Sequence, residues 1–319
     1  MSGAPTVVVA RKLHAAGLDP LRERYAVREG GLESTREQLL ELVGGCDALV
    51  VDSTISVDEE LLEAAGPQLR VVANLAVGYD NVDLDAARAA GVIVTNTPDV
   101  LTNATAELAL ALTLAAARLL GEAERDLRAG EWRGWDPTAY RGLELSGATV
   151  GIVGLGRIGA RYAELLSGFR PTLLYASRSR RAELEARLGL ERVELAELLR
   201  RADVISLHAP AKIETRRLID AAALAVMKPT AVLVNTARGS LVDLEAVAGA
   251  LREGRLGAAG IDVYEAEPQV PEEILRAPRT VLTPHIGSAT VTARDAMSRT
   301  VAENVIAVLD GREPPNRVG

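Results

Sequence analysis

The chain has 319 residues, enough for two domains that each bury a core of their own. Hydrophobic residues make up 48% and charged residues 25%, the balance of a globular protein, and a net charge of −8 argues against nucleic acid or an anionic membrane as a partner. Cys46 is the only cysteine, which rules out an intrachain disulfide. The early apolar run at residues 7–10 is too short for a signal peptide core, and residues 108–117 are too few for a membrane span, so a cytoplasmic protein is expected.

Short apolar runs at residues 7–10, 25–28, 48–51, 70–73 and 92–94 read as strands. Helical patterns separate them, near Leu18 and at residues 37–43, 58–65 and 84–90. Repeated strand–helix units imply a parallel sheet covered on both faces, and five strands in the first 95 residues predict a flavodoxin-like layer. Pro98-Asp99 breaks this pattern. Residues 100–120 then predict one long Ala/Leu-rich helix, apolar on nearly every side and therefore buried. The turn-rich stretch 130–137 carries both tryptophans, Trp132 and Trp135, which read either as loop anchors or as a lid or subunit-contact arm.

A second series begins at residues 149–159. The run 150–153 ends in Gly154-Leu155-Gly156-Arg157-Ile158-Gly159, and a helical pattern follows. Strand, glycine turn and helix in that order suit a dinucleotide pyrophosphate. Gly154 allows the tight turn, Gly156 lets backbone approach the phosphates, and Gly159 lets helix and strand pack closely. Further strands at 172–176, 203–207, 231–235, 258–261 and 280–282 bring this sheet to six. A last helix covers roughly 290–309, and the tail 311–319 is polar.

In an NAD-binding sheet an acidic residue about 20 positions past the first glycine takes the ribose hydroxyls. Here the second strand ends Ser177-Arg178-Ser179-Arg180-Arg181, with hydroxyls and guanidiniums suited to a 2′-phosphate and no carboxylate. NADP(H) is therefore the preferred cofactor, with NAD(H) as the second choice, and nothing in the pattern calls for a metal.

Hydride transfer to a carbonyl needs a proton donor and a group that fixes the substrate. Three histidines exist. His14 reads as an exposed or capping residue. His208 ends a core strand, either lining the cofactor or packed there. His285 follows the last strand, at the carboxyl edge where open α/β sheets bind ligands. Arg238 sits in a turn after a buried strand, an unusual place for a guanidinium without an anion. Residues 262–268, Asp-Val-Tyr-Glu-Ala-Glu-Pro, are rich in carboxylates. A carboxylate beside His285 would favour the imidazolium, and the residues alone leave Glu265 and Glu267 as equal candidates.

The chain resembles the D-isomer-specific 2-hydroxyacid dehydrogenases, most closely their glyoxylate/hydroxypyruvate reductase branch. The likeness spans Asn74-Leu75-Ala76-Val77-Gly78-Tyr79-Asp80-Asn81-Val82-Asp83, the glycine motif, and residues 235–239, 262–268 and 283–288. It implies two Rossmann-like domains: a flavodoxin-like substrate domain (1–98 plus 289–319) and an inserted dinucleotide-binding, doubly wound parallel sheet (99–288), with the active site in the cleft between them. Arg238 would hold the substrate carboxylate and carbonyl, His285 would be the acid/base, and Glu267 would support it. Backbone N–H groups of Val77 and Gly78 would bind the substrate carboxylate. Leu155 to Ile158 would contact the pyrophosphate, and Ser177 to Ser179 the 2′-phosphate. Thr236, Ala237, Asp262 and Gly287 would lie near the nicotinamide, and Thr105 at a phosphate. A homodimer formed through the cofactor domain is implied, with the tryptophan arm reaching toward a neighbouring active site.

Val51-Asp52-Ser53-Thr54 departs from the apolar pocket residues of glyoxylate reductases, which points away from a pocket narrowed to glyoxylate. Phosphoglycerate dehydrogenases tend to carry Arg near positions 52 and 74. Asp52 and Asn74 are poor phosphate ligands, so a phosphorylated substrate is disfavoured. The expected activity is NADPH-dependent reduction of glyoxylate, hydroxypyruvate or a similar short 2-ketoacid to the D-2-hydroxyacid. The alternatives are a phosphoglycerate- or sugar-acid-specific relative and a non-catalytic, dinucleotide-sensing corepressor-like protein.

Overall fold

The computed structural model describes residues 4–319. The chain falls into two units: one runs to Leu101 and resumes over Ser288–Gly319, and the other is Thr102–Gly287. Strands end and helices begin at side-chain caps: Thr35, Asp58, Asp83, Asp220, Asp243 and Thr290 each accept a bond from a first-turn amide.

Unit 1 opens with β1 (Thr6–Val9), α1 (Ala15–Arg22), β2 (Ala26–Glu29), α2 (Arg36–Val43) and β3 (Ala48–Val51). It continues with α3 (Glu59–Ala65), β4 (Val71–Asn74), α4 (Leu84–Ala89) and β5 (Ile93–Thr95). Unit 2 begins with α5 (Thr102–Ala117) and α6 (Leu120–Arg128), then β6 (Thr149–Val153), α7 (Arg157–Leu166), β7 (Thr172–Ala176), α8 (Ala182–Leu188) and β8 (Glu191–Arg192). After α9 (Leu195–Arg201) come β9 (Val204–Leu207), α10 (Ala221–Val226), β10 (Val232–Asn235), α11 (Leu244–Arg252), β11 (Ala258–Ile261), α12 (Glu272–Leu275) and β12 (Thr280–Leu282). The chain returns to unit 1 with α13 (Val291–Leu309) and β13 (Arg317–Val318).

The unit 1 sheet has the order β2-β1-β3-β4-β5-β13, parallel except for β13, which runs antiparallel to β5. Its first five positions are the flavodoxin-like order. Leu39, Val43 and Leu61 pack on one face, and Leu18, Leu21, Val305 and Val308 on the other. Helices α1 and α13 meet backbone to backbone at Gly17, where a Cβ would lie 2.1 Å from the Ser298 carbonyl oxygen. The tail, read from sequence only as polar, supplies β13. Two residues with one half-buried side chain leave no periodicity to read.

Unit 2 is a wholly parallel sheet of order β8-β7-β6-β9-β10-β11-β12. From β8 to β11 this is the doubly wound order of a dinucleotide-binding domain, with β12 added at one edge. The sheet has seven strands where six were expected. The extra one, β8, is two exposed charged residues at an edge, where charge is the normal protection against stray pairing and apolar patterning is absent. The single helix expected over 100–120 is also corrected. It ends at Ala117, Leu119 takes a left-handed φ of 53°, and α6 leaves at 65° to α5. Helix α5 lies on β10, β11 and α7 and buries Ala106, Ala109, Leu112 and Ala116. Among the described residues, no single helix is long and apolar enough to cross a membrane.

Candidate active site

The glycine turn joins β6 to α7. Gly154 has φ +93°, and a Cβ there would sit 2.7 Å from the Ala209 nitrogen. At Gly159 a Cβ would lie 2.2 Å from the Gly154 carbonyl oxygen. Those two glycines are therefore required by the chain itself. Gly156 is different: a Cβ there would meet nothing within 4 Å, yet it is the N-cap of α7 and offers no side-chain cap. The open space lies at the N-terminus of α7, a cradle of the kind a pyrophosphate fills. Leu155 is buried beneath the turn. His208 packs there too, its Nε2 2.9 Å from the Ser206 hydroxyl and its ring 5.0 Å from that of Tyr162. Burial pushes its pKa down to about 3, so the imidazole is neutral at working pH.

At the tip of β7, Ser177 is half-buried and Arg178, Ser179 and Arg180 are exposed. Arg180 makes three hydrogen bonds to the Glu185 carboxylate, at 2.8–3.2 Å. Tyr175 donates to the same carboxylate at 2.6 Å and accepts from the Arg181 amide at 3.0 Å.

The chemistry-bearing side chains gather at the carboxyl ends of β10, β11 and β12. After β10, Asn235 turns back on the loop: its Nδ2 donates to the Arg238 carbonyl at 2.8 Å, and its Oδ1 accepts from the Ala237 amide at 3.0 Å. Gly239 then lets the loop press on β11's extension, since a Cβ there would lie 2.0 Å from the Tyr264 carbonyl carbon. These contacts hold Arg238, whose Nη1 also donates to the Ala237 carbonyl at 2.8 Å. The Thr236 hydroxyl is buried with no partner among the described residues.

His285 lies 2.6 Å by Nδ1 from Glu267 Oε2, and the other Glu267 oxygen accepts from the Tyr264 amide at 2.9 Å. A carboxylate can only accept, so Nδ1 carries the proton of this bond. A third of the His285 side chain is exposed, against 17% for Glu267. Burial pushes the Glu267 carboxyl up, but the bonds from His285 and Tyr264 and the nearby Arg238 charge outweigh it and hold the pKa below the usual range. Glu265, the other candidate, points elsewhere, 2.6 Å from Arg216.

The buried Asp262 organises this corner. Its carboxylate accepts from the Thr283 hydroxyl at 2.6 Å, the Ile286 amide at 2.8 Å and the Gly287 amide at 2.9 Å. Its carbonyl takes the His285 amide at 2.9 Å. His285 has a φ of 51°, a left-handed conformation costing on the order of 1–3 kcal/mol in a non-glycine residue, and these bonds maintain it. Burial raises the Asp262 pKa against the pull of those donors. Thr105, on α5, packs beside Gly287. Sequence reasoning placed Asp262 near the nicotinamide and did not see that it shapes the histidine loop.

The family profile "D-isomer specific 2-hydroxyacid dehydrogenase, NAD binding domain" matches residues 110–287. The chain is 48% identical over 320 aligned positions to a glyoxylate reductase of Thermococcus onnurineus, covering 98% of this chain and 96% of that protein. It belongs to the D-isomer-specific 2-hydroxyacid dehydrogenases. Within that family it stands with the glyoxylate reductases. The crystal structure of a glyoxylate reductase from Paecilomyes thermophila is 33% identical with a TM-score of 0.87, covering 99% of both chains. An NADPH-dependent glyoxylate/hydroxypyruvate reductase from Sinorhizobium meliloti, crystallised with NADP and malonate, is 35% identical with a TM-score of 0.86, covering 99% of this chain and 97% of that one. As a member of this dehydrogenase family the chain is an oxidoreductase with a nicotinamide dinucleotide-binding domain.

The remaining site candidates of this dehydrogenase lie in unit 1. Asn96 donates to the Val77 carbonyl and Asn74 to the Gly78 carbonyl, each at 2.8 Å, and Asn81 joins Asn74 to the Asp52 and Ile55 carbonyls. Both loop carbonyls are thus occupied, while the Val77 and Gly78 amides donate to no described group. Asp52 is taken up locally, accepting from the Thr54 amide at 2.9 Å and hydroxyl at 2.6 Å. His14, outside the site, caps α1 and lies 2.8 Å from Asp295. Both tryptophans stand out from unit 2, 60% (Trp132) and 85% (Trp135) exposed, so neither anchors its loop.

Proposed function

We propose that this dehydrogenase reduces a short 2-ketoacid, glyoxylate or hydroxypyruvate, to the D-2-hydroxyacid, with NADPH preferred over NADH. The observation that carries the reading is the 2.6 Å pairing of His285 Nδ1 with an ionised Glu267 under the influence of Arg238. When bound, the reduced nicotinamide supplies the hydride to the carbonyl carbon. The Arg238 guanidinium holds the carboxylate and carbonyl oxygen in its fork and opposes the growing negative charge on that oxygen. His285 Nε2 delivers the proton to the oxygen, and Glu267 fixes the ring and balances its charge. The Val77 and Gly78 amides add donors to the carboxylate.

The cofactor would rest on the cradle of Gly154, Leu155, Gly156, Arg157, Ile158 and Gly159, with Thr236, Ala237, Asp262, Gly287 and Thr105 toward the nicotinamide half. Arginines and hydroxyls at residues 177–180, with no carboxylate in that run and the nearby Glu185 paired to Arg180, support NADPH, as does the NADPH-dependent relative. The exposed Leu120, Leu127, Trp132, Trp135 and Tyr140 on one segment of unit 2 support a homodimer through that unit. The test is consumption of NADPH and of NADH by the purified protein over a panel of short 2-ketoacids. D-glycerate from hydroxypyruvate with higher kcat/KM for NADPH is expected. No turnover with any of them refutes the enzyme reading.

A further inference from the structure

Strand β8 brings one residue to the tip of β7 that the proposed cofactor contacts do not include. Arg192 is paired in register with Tyr175, and its Nη2 donates to the Ser177 carbonyl at 3.1 Å and the Arg178 carbonyl at 3.3 Å. Those carbonyls belong to the two planar peptide groups on either side of the Arg178 Cα. Fixing both planes sets φ and ψ of Arg178 and so the direction in which its side chain leaves the backbone. The strand is itself braced, since Arg201 bonds both carboxylate oxygens of Glu191 at 2.7–2.8 Å.

Another arginine at this tip is committed differently. Arg180 is bound to Glu185, which also takes the Tyr175 hydroxyl. Arg178 and Arg181 are the exposed arginines here that form no ion pair to a carboxylate among the described residues, and the Arg181 backbone is held separately, its amide donating to the Tyr175 hydroxyl at 3.0 Å.

We infer that Arg192 is a positioning residue for cofactor specificity: it fixes the peptide planes around Arg178 so that the guanidinium meets the ribose 2′-phosphate, while Arg180 and Glu185 stiffen the loop from the other side. The inference rests on the NADPH reading above and deepens it by naming what holds the phosphate site in shape. A guanidinium free to wander loses rotamer entropy when it binds, and prior ordering removes that cost. The edge strand thus serves recognition through a residue that need not touch the ligand.

The experiment uses the full chain with glyoxylate and either cofactor. Arg192→Met should lower the NADPH-to-NADH ratio of kcat/KM on the order of tenfold, through KM for NADPH with kcat held within about twofold. Arg192→Lys, still a donor to carbonyls, should recover much of the loss. The deficit should persist at about 0.5 M salt, where a mere long-range field is screened within a few ångströms. Equal losses with both cofactors, or a deficit that vanishes in salt, would overturn the positioning role. Arg178→Met separates the two readings. If it lowers NADPH selectivity while Arg192→Met does not, the phosphate site stands and the positioning role is wrong. If Arg178→Met changes nothing, the phosphate reading fails and this inference with it.

Discussion

Glu267→Gln exchanges one oxygen for an NH2 group at the centre of the site. In the native chain the two oxygens serve two donors, the Tyr264 amide and His285 Nδ1. A glutamine has one acceptor oxygen: if that serves the Tyr264 amide, the NH2 faces Nδ1, which must either shift its proton to Nε2 or meet a second donor. The charge-assisted bond is worth roughly 1.5–3 kcal/mol and the mismatched pair adds to that, so about 2–4 kcal/mol of transition-state stabilisation should be lost. At 1.36 kcal/mol per factor of ten, kcat/KM should fall by about 30- to 1,000-fold. The assay is the disappearance of reduced cofactor with hydroxypyruvate, with a thermal melt to show that the variant folds. Glu265→Gln, which only breaks an exposed pair with Arg216, is the control and should remain near wild type. A folded Glu267→Gln protein with kcat/KM within threefold of wild type would refute the reasoning.

Stability should carry the same signature. The folded Glu267 pKa lies below its unfolded value, so its contribution is complete above about pH 4.3 and is lost as pH falls through the lowered folded value. The urea midpoints of wild type and Glu267→Gln should accordingly differ most near neutrality and converge on acidification; a gap that widens at low pH contradicts this. Gly156→Ala should fold like wild type but bind NADP+ at least about tenfold more weakly, because its Cβ enters only the open cradle, whereas Gly159→Ala should lose about 1–3 kcal/mol of stability from its clash with Gly154. Calorimetric binding and chemical denaturation of the two variants check that contrast. Arg238→Lys should raise the KM for the ketoacid on the order of a hundredfold, since an ammonium lacks the fork, and unchanged steady-state kinetics would remove Arg238 from the site. Cys46 is buried and its thiol is pushed up to about 11, so iodoacetamide should label it only in denaturant, as mass spectrometry can show.

The buried strands were legible because parallel sheets write themselves as continuous Val, Ile, Leu and Ala runs between helix signals, as at Val71–Asn74 and Val232–Asn235. The glycine turn was legible for a related reason, since positive φ and close approach admit few other residues. What escaped was built from polar residues acting at a distance along the chain. Glu191 and Arg192 form a strand only because Tyr175 lies beside them. The choice between Glu265 and Glu267 depends on a turn that brings Glu267 back to the Tyr264 amide, which two carboxylates two positions apart do not reveal. Asp262 reads as an ordinary acidic residue until its three donors from residues 283–287 are seen.

Unit 2 is one uninterrupted stretch of chain, whereas unit 1 is closed by α13 and β13, which follow it by nearly two hundred residues. During synthesis β1, β3 and β4 therefore leave the ribosome long before Val301, Val305 and Val308 arrive to cover one of their faces. The first unit to begin is the last that can finish, and its half-covered sheet waits exposed while all seven strands of the other unit already have their partners.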